Sequence, residues 1–278
     1  MRFLLLPGRN PGPYTGQGTN TYLLPGLVPT LIDAGAGRQQ HVDEIAVALD
    51  EAAGTSRAPL AQVLVTHAHV DHIGGAPALA ARWPDARFAK WPWPGRDDEF
   101  GARWDTILDN DVVAAGDSSL WAIHTPGHSP DHLCFFEPRS GMLFAGDLVL
   151  SDGTVVIPAS HGGSLAAYLD SLRRLLELQP RIILPGHGRT IDQPAALLRG
   201  YLAHRVSRER QIVDCLARDP LPVSAIVEQI YGGVSHELLG AAAENVLAHL
   251  NKLRDEGRAI EESAGPGPGL WRLVGGSS

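Results

Sequence analysis

The chain reads as an α/β protein followed by a smaller, mainly helical module, and three observations lead there. Over the first two-thirds, short apolar runs bounded by Gly, Pro, Asp or Asn alternate with segments of helical periodicity. Beyond about residue 193 the strand-like runs stop and helical stripes take over. With 278 residues, 44% hydrophobic and 19% charged, the chain has enough apolar mass for a sizeable core and too little charge for disorder.

Strands are expected at Thr21–Leu24, Thr30–Asp33, Gln62–Val65, Arg87–Lys90, Leu120–His124, His132–Phe136, Met142–Ala145 and Arg181–Leu184. Helices fall between them. His41–Ala53 carries Val42, Ile45, Ala46 and Leu49 three and four apart, and Ser164–Leu178 repeats the pattern with Leu165, Tyr168, Leu169, Leu172, Leu175 and Leu176. Alternation of this kind predicts helices covering sheets. In the C-terminal part, helices are predicted at Ala195–Ala217, Val223–Ile230 and His236–Glu256. Two extended pieces, Ala259–Glu262 and Leu270–Val274, flank the turn sequence Ser263–Gly269. Three helices and a terminal hairpin outline a winged helix, which divides the chain into residues 1–194 and 195–278.

Charge narrows the class. The net charge of −8 argues against a broad basic face for duplex DNA. From residue 198 onward, 9 basic residues stand against 10 acidic ones, so the winged-helix-like module reads as a packing or homodimerisation appendage. Only a run of four apolar residues, Phe3 to Leu6, precedes Pro7, too few for a signal peptide, and no run approaches the roughly 18 apolar residues of a membrane span. Cys134 and Cys215 make neither a metal spacing nor a disulfide framework. A soluble, cytoplasmic protein is expected.

The strongest local signal is Thr66-His67-Ala68-His69-Val70-Asp71-His72, between an apolar strand and Gly74-Gly75. Four potential metal ligands in six residues suit a hydrophobic core poorly, and imidazole with carboxylate ligates zinc well. Three later segments repeat one grammar, a strand ending in glycine beside a ligand type: Gly127-His128, Gly146-Asp147 and Gly186-His187. Glycine allows the sharp turn that aims a short side chain into a shared pocket.

The set His67, His69, Asp71, His72, His128, Asp147 and His187 resembles, in that order, the motif of the metallo-β-lactamase superfamily. The resemblance implies an αββα sandwich with a dinuclear metal site between the edges of two sheets. It implies that His67, His69 and His128 hold one metal, that Asp71, His72 and His187 hold the other, and that Asp147 bridges them. β-Lactamases of this fold carry a cysteine where Asp147 stands, which disfavours antibiotic hydrolysis. Redox di-iron members carry a glutamate where His69 stands, which disfavours that branch. Asn10-Pro11-Gly12, Gln17-Gly18-Thr19-Asn20-Thr21-Tyr22-Leu23, Leu31-Ile32-Asp33-Ala34-Gly35 and Tyr201-Leu202-Ala203-His204-Arg205 are similar to signatures of the β-lactamase-like endoribonucleases, whose animal members cleave single-stranded RNA.

Two Zn2+ ions are the expected cofactors, with Mn2+ or Fe also suited to these ligands. Zinc brings water's pKa from about 15.7 towards 7, so a metal-held hydroxide would attack phosphorus or a carbonyl carbon. Asp71 is the candidate to orient that hydroxide or pass on its proton, or else is a ligand alone. His132 is a second catalytic candidate, as donor to a leaving group or phosphate oxygen. Asp33 is a candidate to brace a ligating imidazole, and Thr19-Asn20 to hydrogen-bond near the pocket. Trp83–Trp104 holds four of the six tryptophans with Arg87, Lys90, Arg96 and Arg103 interleaved, a pattern that suits a single-stranded nucleic-acid groove or, more commonly, a loop packed on its domain. Single-stranded RNA is thus the leading substrate by resemblance. A hydrolase of small esters, thioesters or lactones is the alternative, and a metal-stabilised binding or regulatory protein the third reading.

Overall fold

The computed structural model describes residues 1–53, 59–262 and 268–275. One sheet has six strands in spatial order β1 (Leu4–Pro7), β2 (Asn20–Leu24), β3 (Thr30–Ile32), β4 (Gln62–Leu64), β5 (Arg87–Lys90) and β6 (Trp104–Thr106). It is antiparallel from β1 to β3 and parallel from β3 onward. The second sheet has the order β11 (Ile182–Pro185), β10 (Met142–Gly146), β9 (Leu133–Glu137), β8 (Ser118–His124) and β7 (Val112–Ala115), with only β10 and β11 parallel.

Alternation along the strands sorts side chains into three apolar layers. Tyr22, Leu24, Ile32, Leu64 and Ala89 of the first sheet meet Leu120, Ala122, Leu133, Phe135, Phe144 and Leu184 of the second. On the outer face of the first sheet, Leu23, Leu31, Val63 and Phe88 pack against Val42, Ile45 and Leu49 of α1 (Gln39–Ala53) and Leu79 of α3 (Ala76–Arg82). On the outer face of the second, Ile123, Cys134, Phe136, Leu143 and Ile183 meet Leu165, Tyr168, Leu172 and Leu175 of α4 (Leu165–Leu178). Helix, sheet, sheet, helix is therefore the order of layers, and it follows from the apolar periodicities. Three strands outside the expected set, β1, β6 and β7, lie at sheet edges and are only three or four residues long; β1 and β7 are apolar throughout, whereas β6 carries Asp105 and Thr106. The short α2 (Val70–Ile73) and α3 were likewise not expected.

The C-terminal part contains α5 (Pro194–Leu216), α6 (Val223–Tyr231), α7 (Leu239–Asp255) and the hairpin β12 (Ala259–Glu262) with β13 (Leu270–Leu273). The expected helix at His236–Glu256 begins as a 3₁₀ turn, His236–Leu238, before α7. Residues 263–267 of the Ser263–Gly269 turn lie outside the described residues. Ile212, Leu216, Ile226, Val246, Leu250, Leu253 and Trp271 form a core of their own. Helix α5 serves two cores, with Leu198 and Tyr201 in that of the second sheet and Ile212 and Leu216 in that of the module. Helix α7 does likewise, since Ala248 joins the second sheet's core. Among the described residues no helix is long and apolar enough to cross a membrane.

The approach to His128 depends on one glycine. Gly127 has φ +139°, and a Cβ there would lie 2.3 Å from the Cα of Tyr168. Its carbonyl also accepts the Ser164 amide that starts α4. Gly127→Ala is expected to lower stability by at least about 1–3 kcal/mol through backbone strain and displacement of α4, measured as a shift in the urea midpoint at unchanged slope.

Candidate metal centre

The site forms where strands of both sheets end together. After β4, the chain turns at Thr66 into His67 and His69, and the single turn of α2 presents Asp71 and His72. Asp33, in the left-handed region with φ 62°, fixes that turn by accepting from the Thr66 amide at 2.7 Å and the Thr66 hydroxyl at 3.0 Å. From the second sheet, β8 leads to His128, β10 to Asp147 and β11 to His187. The two sheets are joined here by the Asn20 amide on the Gly186 carbonyl at 2.7 Å. Gly186 has to lack a Cβ, which would stand 2.4 Å from Asp147 Oδ1 and 2.7 Å from His72 Cε1.

Seven side chains singled out in the sequence meet in one place. His67 Nε2 and His128 Nε2 each lie 2.9 Å from His69 Nδ1. Asp71 Oδ2 is 3.2 Å from His187 Nε2 and 3.4 Å from His72 Nε2, and those two nitrogens are 3.4 Å apart. Asp147 faces both groups, with Oδ1 3.3 Å from His72 Nε2 and Oδ2 3.3 Å from His187 Nε2 and 3.7 Å from His128 Nε2.

The protonation pattern tests whether cations fit. The Thr66 hydroxyl donates to Asp33, so it accepts from His67 Nδ1 at 3.0 Å and leaves His67 Nε2 with a lone pair. His128 Nδ1 donates to the Val156 carbonyl at 2.7 Å, His187 Nδ1 to the Gly18 carbonyl at 3.2 Å and His72 Nδ1 to Asp33 Oδ2 at 2.7 Å. Each far nitrogen thus has an acceptor, and each Nε2 turns inward, the arrangement that orients metal-bound imidazoles. Burial, reinforced by neighbouring imidazoles, drives His67 well below the ordinary histidine range and His69 down to about 3. With His69 in the tautomer that leaves Nδ1 unprotonated, the three rings present lone pairs to one another, an arrangement that a cation among them relieves. Asp147 Oδ1 is buried with no hydrogen-bond partner, a second sign of the same need. The donor set therefore fits divalent metal ions.

The acidic half behaves differently. Burial opposes charge on His72 and His187, yet Asp71, Asp147 and Asp33 hold His72 well above the usual range, and Asp147 with Asp71 lifts His187 to about 10. Burial likewise opposes ionisation of Asp71 and Asp147, but the same two imidazoles keep both carboxyls below the usual carboxylate range.

Of the other candidates, Asp33 sits against His72 as described. Thr19 donates to Asp71 Oδ2 at 2.8 Å and is itself held by Asn10 through two 2.9 Å hydrogen bonds. Asn20 donates to the Pro185 and Gly188 carbonyls on either side of the His187 turn. His132 does not suit the donor role expected of it. It is fully buried, its Nδ1 pairs with Thr125 Oγ1 at 2.9 Å, and its Nε2 accepts the Asp147 amide at 3.1 Å. The ring is occupied in holding the turn that presents Asp147. In the Trp83–Trp104 segment, Trp83, Trp93 and Trp104 pack, partly buried, on the outer core of the first sheet, and Trp91 stacks on His124 at 3.6 Å, as a loop packed on its domain does. Arg87 and Arg96 are paired with Asp105 and Glu99. Lys90, one of only two lysines, is buried between Asp97 and Asp131 and ties this segment to the His128 loop. Its signal in the sequence was a lysine ending a predicted strand, and Asn10 stood out only within the Asn10-Pro11-Gly12 signature.

A fold of this layer order, with His and Asp side chains converging where its two sheets end, defines a class. The chain belongs to the metallo-β-lactamase superfamily, whose sequence model matches residues 14–187, and it is a hydrolase of that superfamily. A beta-lactamase associated winged helix domain matches residues 223–271. The chain is 32% identical over 274 residues to the beta-lactamase-like protein 2 homolog of Caenorhabditis elegans, covering 98% of this chain and 89% of that one. It is also 32% identical over 279 residues to the atrochrysone carboxyl ACP thioesterase of Aspergillus chevalieri, covering 96% and 85% respectively. A beta-lactamase domain protein from Burkholderia ambifaria shares the fold, with a TM-score of 0.83 at 24% identity over 98% of this chain and 91% of that one.

The charge pattern sets a pH dependence. His72 and His187 hold protons at neutral pH in the metal-free protein and have to release them to ligate. In the metal-free protein these raised values stabilise the fold fully below about 6.5, and that contribution is lost as pH rises through about 10 for His187. Zinc titration calorimetry at pH 7 in buffers of different ionisation enthalpy is expected to show net proton release, with affinity growing as pH rises. His187→Asn is expected to reduce that release.

Proposed function

We propose that the chain is a dinuclear metal-dependent hydrolase of carboxylic esters or thioesters. The observation that carries the hydrolase reading is the convergence of inward-turned nitrogens and carboxylate oxygens, all donor atoms of each group lying within 4.8 Å of one another. His67, His69 and His128 would hold one divalent ion, and Asp71, His72 and His187 the other, with Asp147 facing both. Zinc, manganese and iron(II) all suit such ligands. Bound there, the ions supply Lewis acidity and a water acidified towards neutral pH. Asp71 contributes positioning and proton traffic. Thr19 fixes its Oδ2, which would leave Oδ1 as the oxygen to accept a hydrogen bond from the attacking water and orient it.

The substrate assignment rests on side chains that could form a polyanion track being engaged elsewhere. Trp83, Trp93 and Trp104 pack, partly buried, against the outer core of the first sheet, and Arg87 and Arg96 are paired with carboxylates. In the C-terminal module, Lys252 and Arg258 are shared between Glu209 and Glu256, and Arg272 pairs with Glu262. A carbonyl substrate needs no such track, and the similarity to a thioesterase over nearly the full chain supports the same choice. Single-stranded RNA is the competing substrate, supported by the N-terminal signatures.

Zinc-loaded protein is to be incubated in parallel with a panel of acyl thioesters and a 5′-labelled unstructured RNA. Thioester hydrolysis is expected, abolished by EDTA and restored by zinc, with the RNA intact. Asp71→Asn is expected to lower kcat/KM about 10²- to 10⁴-fold. Internal RNA cleavage by the wild type, absent in an Asp71→Asn/His72→Ala protein, would replace the carbonyl assignment with a phosphodiester one. Full turnover in EDTA would overturn the metal-dependent reading itself.

A further inference from the structure

We infer that Asn245, on helix α7 of the C-terminal module, and Arg205, on α5, are positioning residues for His128. The inference rests on the reading of His128 as a metal ligand. Asn245 Oδ1 accepts two hydrogen bonds, from the Ile157 amide at 3.0 Å and from Arg205 Nη1 at 3.1 Å. Arg205 Nη2 in turn donates to the Val155 carbonyl. The peptides on both sides of Val156 are therefore held from the C-terminal module. The Val156 carbonyl between them accepts from His128 Nδ1 at 2.7 Å.

That single carbonyl sets two properties of His128. It keeps the proton on Nδ1, so that Nε2 offers its lone pair, and it fixes the rotation of the ring toward His69. The segment carrying it, residues 151–157, belongs to no strand or helix, so its backbone groups look to side chains for partners, while Val155 and Ile157 anchor it in the second sheet's core. Arg205 and Asn245 are 2% and 6% exposed, too enclosed to meet a substrate. The guanidinium lies 5.2 Å from the Tyr168 ring centroid, against the same side chain whose backbone crowds Gly127. A planar fork with two fixed donor directions is what bridging a side-chain oxygen and a backbone carbonyl requires, and an ammonium does not reproduce it.

The test uses full-length protein, with affinity for Zn2+ read by competition against a chromogenic chelator and geometry read from the visible spectrum of the Co2+-loaded form. Asn245→Leu and Arg205→Lys are expected to weaken at least one metal about tenfold or more and to change the cobalt absorption. Ala248→Gly loosens the same interface without touching these hydrogen bonds and is expected to lower Tm while leaving affinity and spectrum unchanged. If Asn245→Leu does not fold, Arg205→Lys alone decides the matter. Wild-type affinity and spectrum in the variants that fold, with His128→Ala losing a metal, would overturn the inference and leave the site reading intact. An unchanged metal content in His128→Ala would instead overturn the site reading on which it rests.

Discussion

The structure depends on keeping imidazoles and carboxylates together, away from water, with their lone pairs aimed at a common centre. Withdrawing ionised groups from solvent costs several kcal/mol each unless they are paired and hydrogen-bonded. Here the compensation is built one nitrogen at a time. Asp33 serves His72, the Thr66 hydroxyl serves His67, the Gly18 carbonyl serves His187 and the Val156 carbonyl serves His128. Such acceptors fix the rings before any ion binds, so little reorganisation is left for binding itself. The close approach of the strand ends at Gly186, which no other residue permits, is the backbone half of the same constraint.

This constraint also explains which parts of the molecule were readable from the chain. Metal ligands crowd because a strand end and one helical turn can place His67, His69, Asp71 and His72 around a point only at short spacing, and such crowding shows in a sequence. The glycine-ligand pairs show for the same reason. The layers were legible because Leu23, Leu31 and Val63 face one way while Leu24, Ile32 and Leu64 face the other. Edge strand β6 was not, since a strand solvated on one side can tolerate polar residues such as Asp105 and Thr106, and β1 and β7, though apolar, are too short to show a period. His132 was misleading because its chemistry is that of a donor, and only packing reveals that both nitrogens are occupied. The tryptophan segment left two readings open, the commoner being a packed loop, because aromatic spacing is the same for a stacking groove and for a loop folded onto its own core.

The C-terminal module poses the more interesting physical question, because a winged helix is commonly a reader of nucleic acid. Its near-neutral composition suggested packing instead, and the structure gives that suggestion a mechanism. Asn245, Ala248 and His249 of α7 are all buried, Ala248 within the core of the second sheet. A helix so engaged does not offer that face to a groove. Lys252, Arg258 and Arg272 are each matched with a carboxylate inside the module, which lowers the long-range field a polyanion would sense there.

The module's contacts fall on the segments that the sheets cannot hold. The Tyr14 hydroxyl donates to the Glu237 carbonyl at 3.3 Å, joining the module to the loop whose next residues provide Gly18 for His187 and Thr19 for Asp71. Glu244 accepts from the Ser160 amide at 2.9 Å and the Ser160 hydroxyl at 2.6 Å, and Asn245 takes the Ile157 amide, so the loop that orients His128 is held at two points. One loop serves the Asp71–His72–His187 group and the other the His67–His69–His128 group. Both rims of the centre are therefore braced by residues more than eighty positions away in sequence, on one compact unit with its own apolar core. Irregular loops are the first parts of a fold to open, and ligands hung on them would bind metal only as firmly as the loops stay shut. An appended domain that contacts both loops adds rigidity to them without crowding the centre, because it touches residues beside the ligands and none of the ligating atoms.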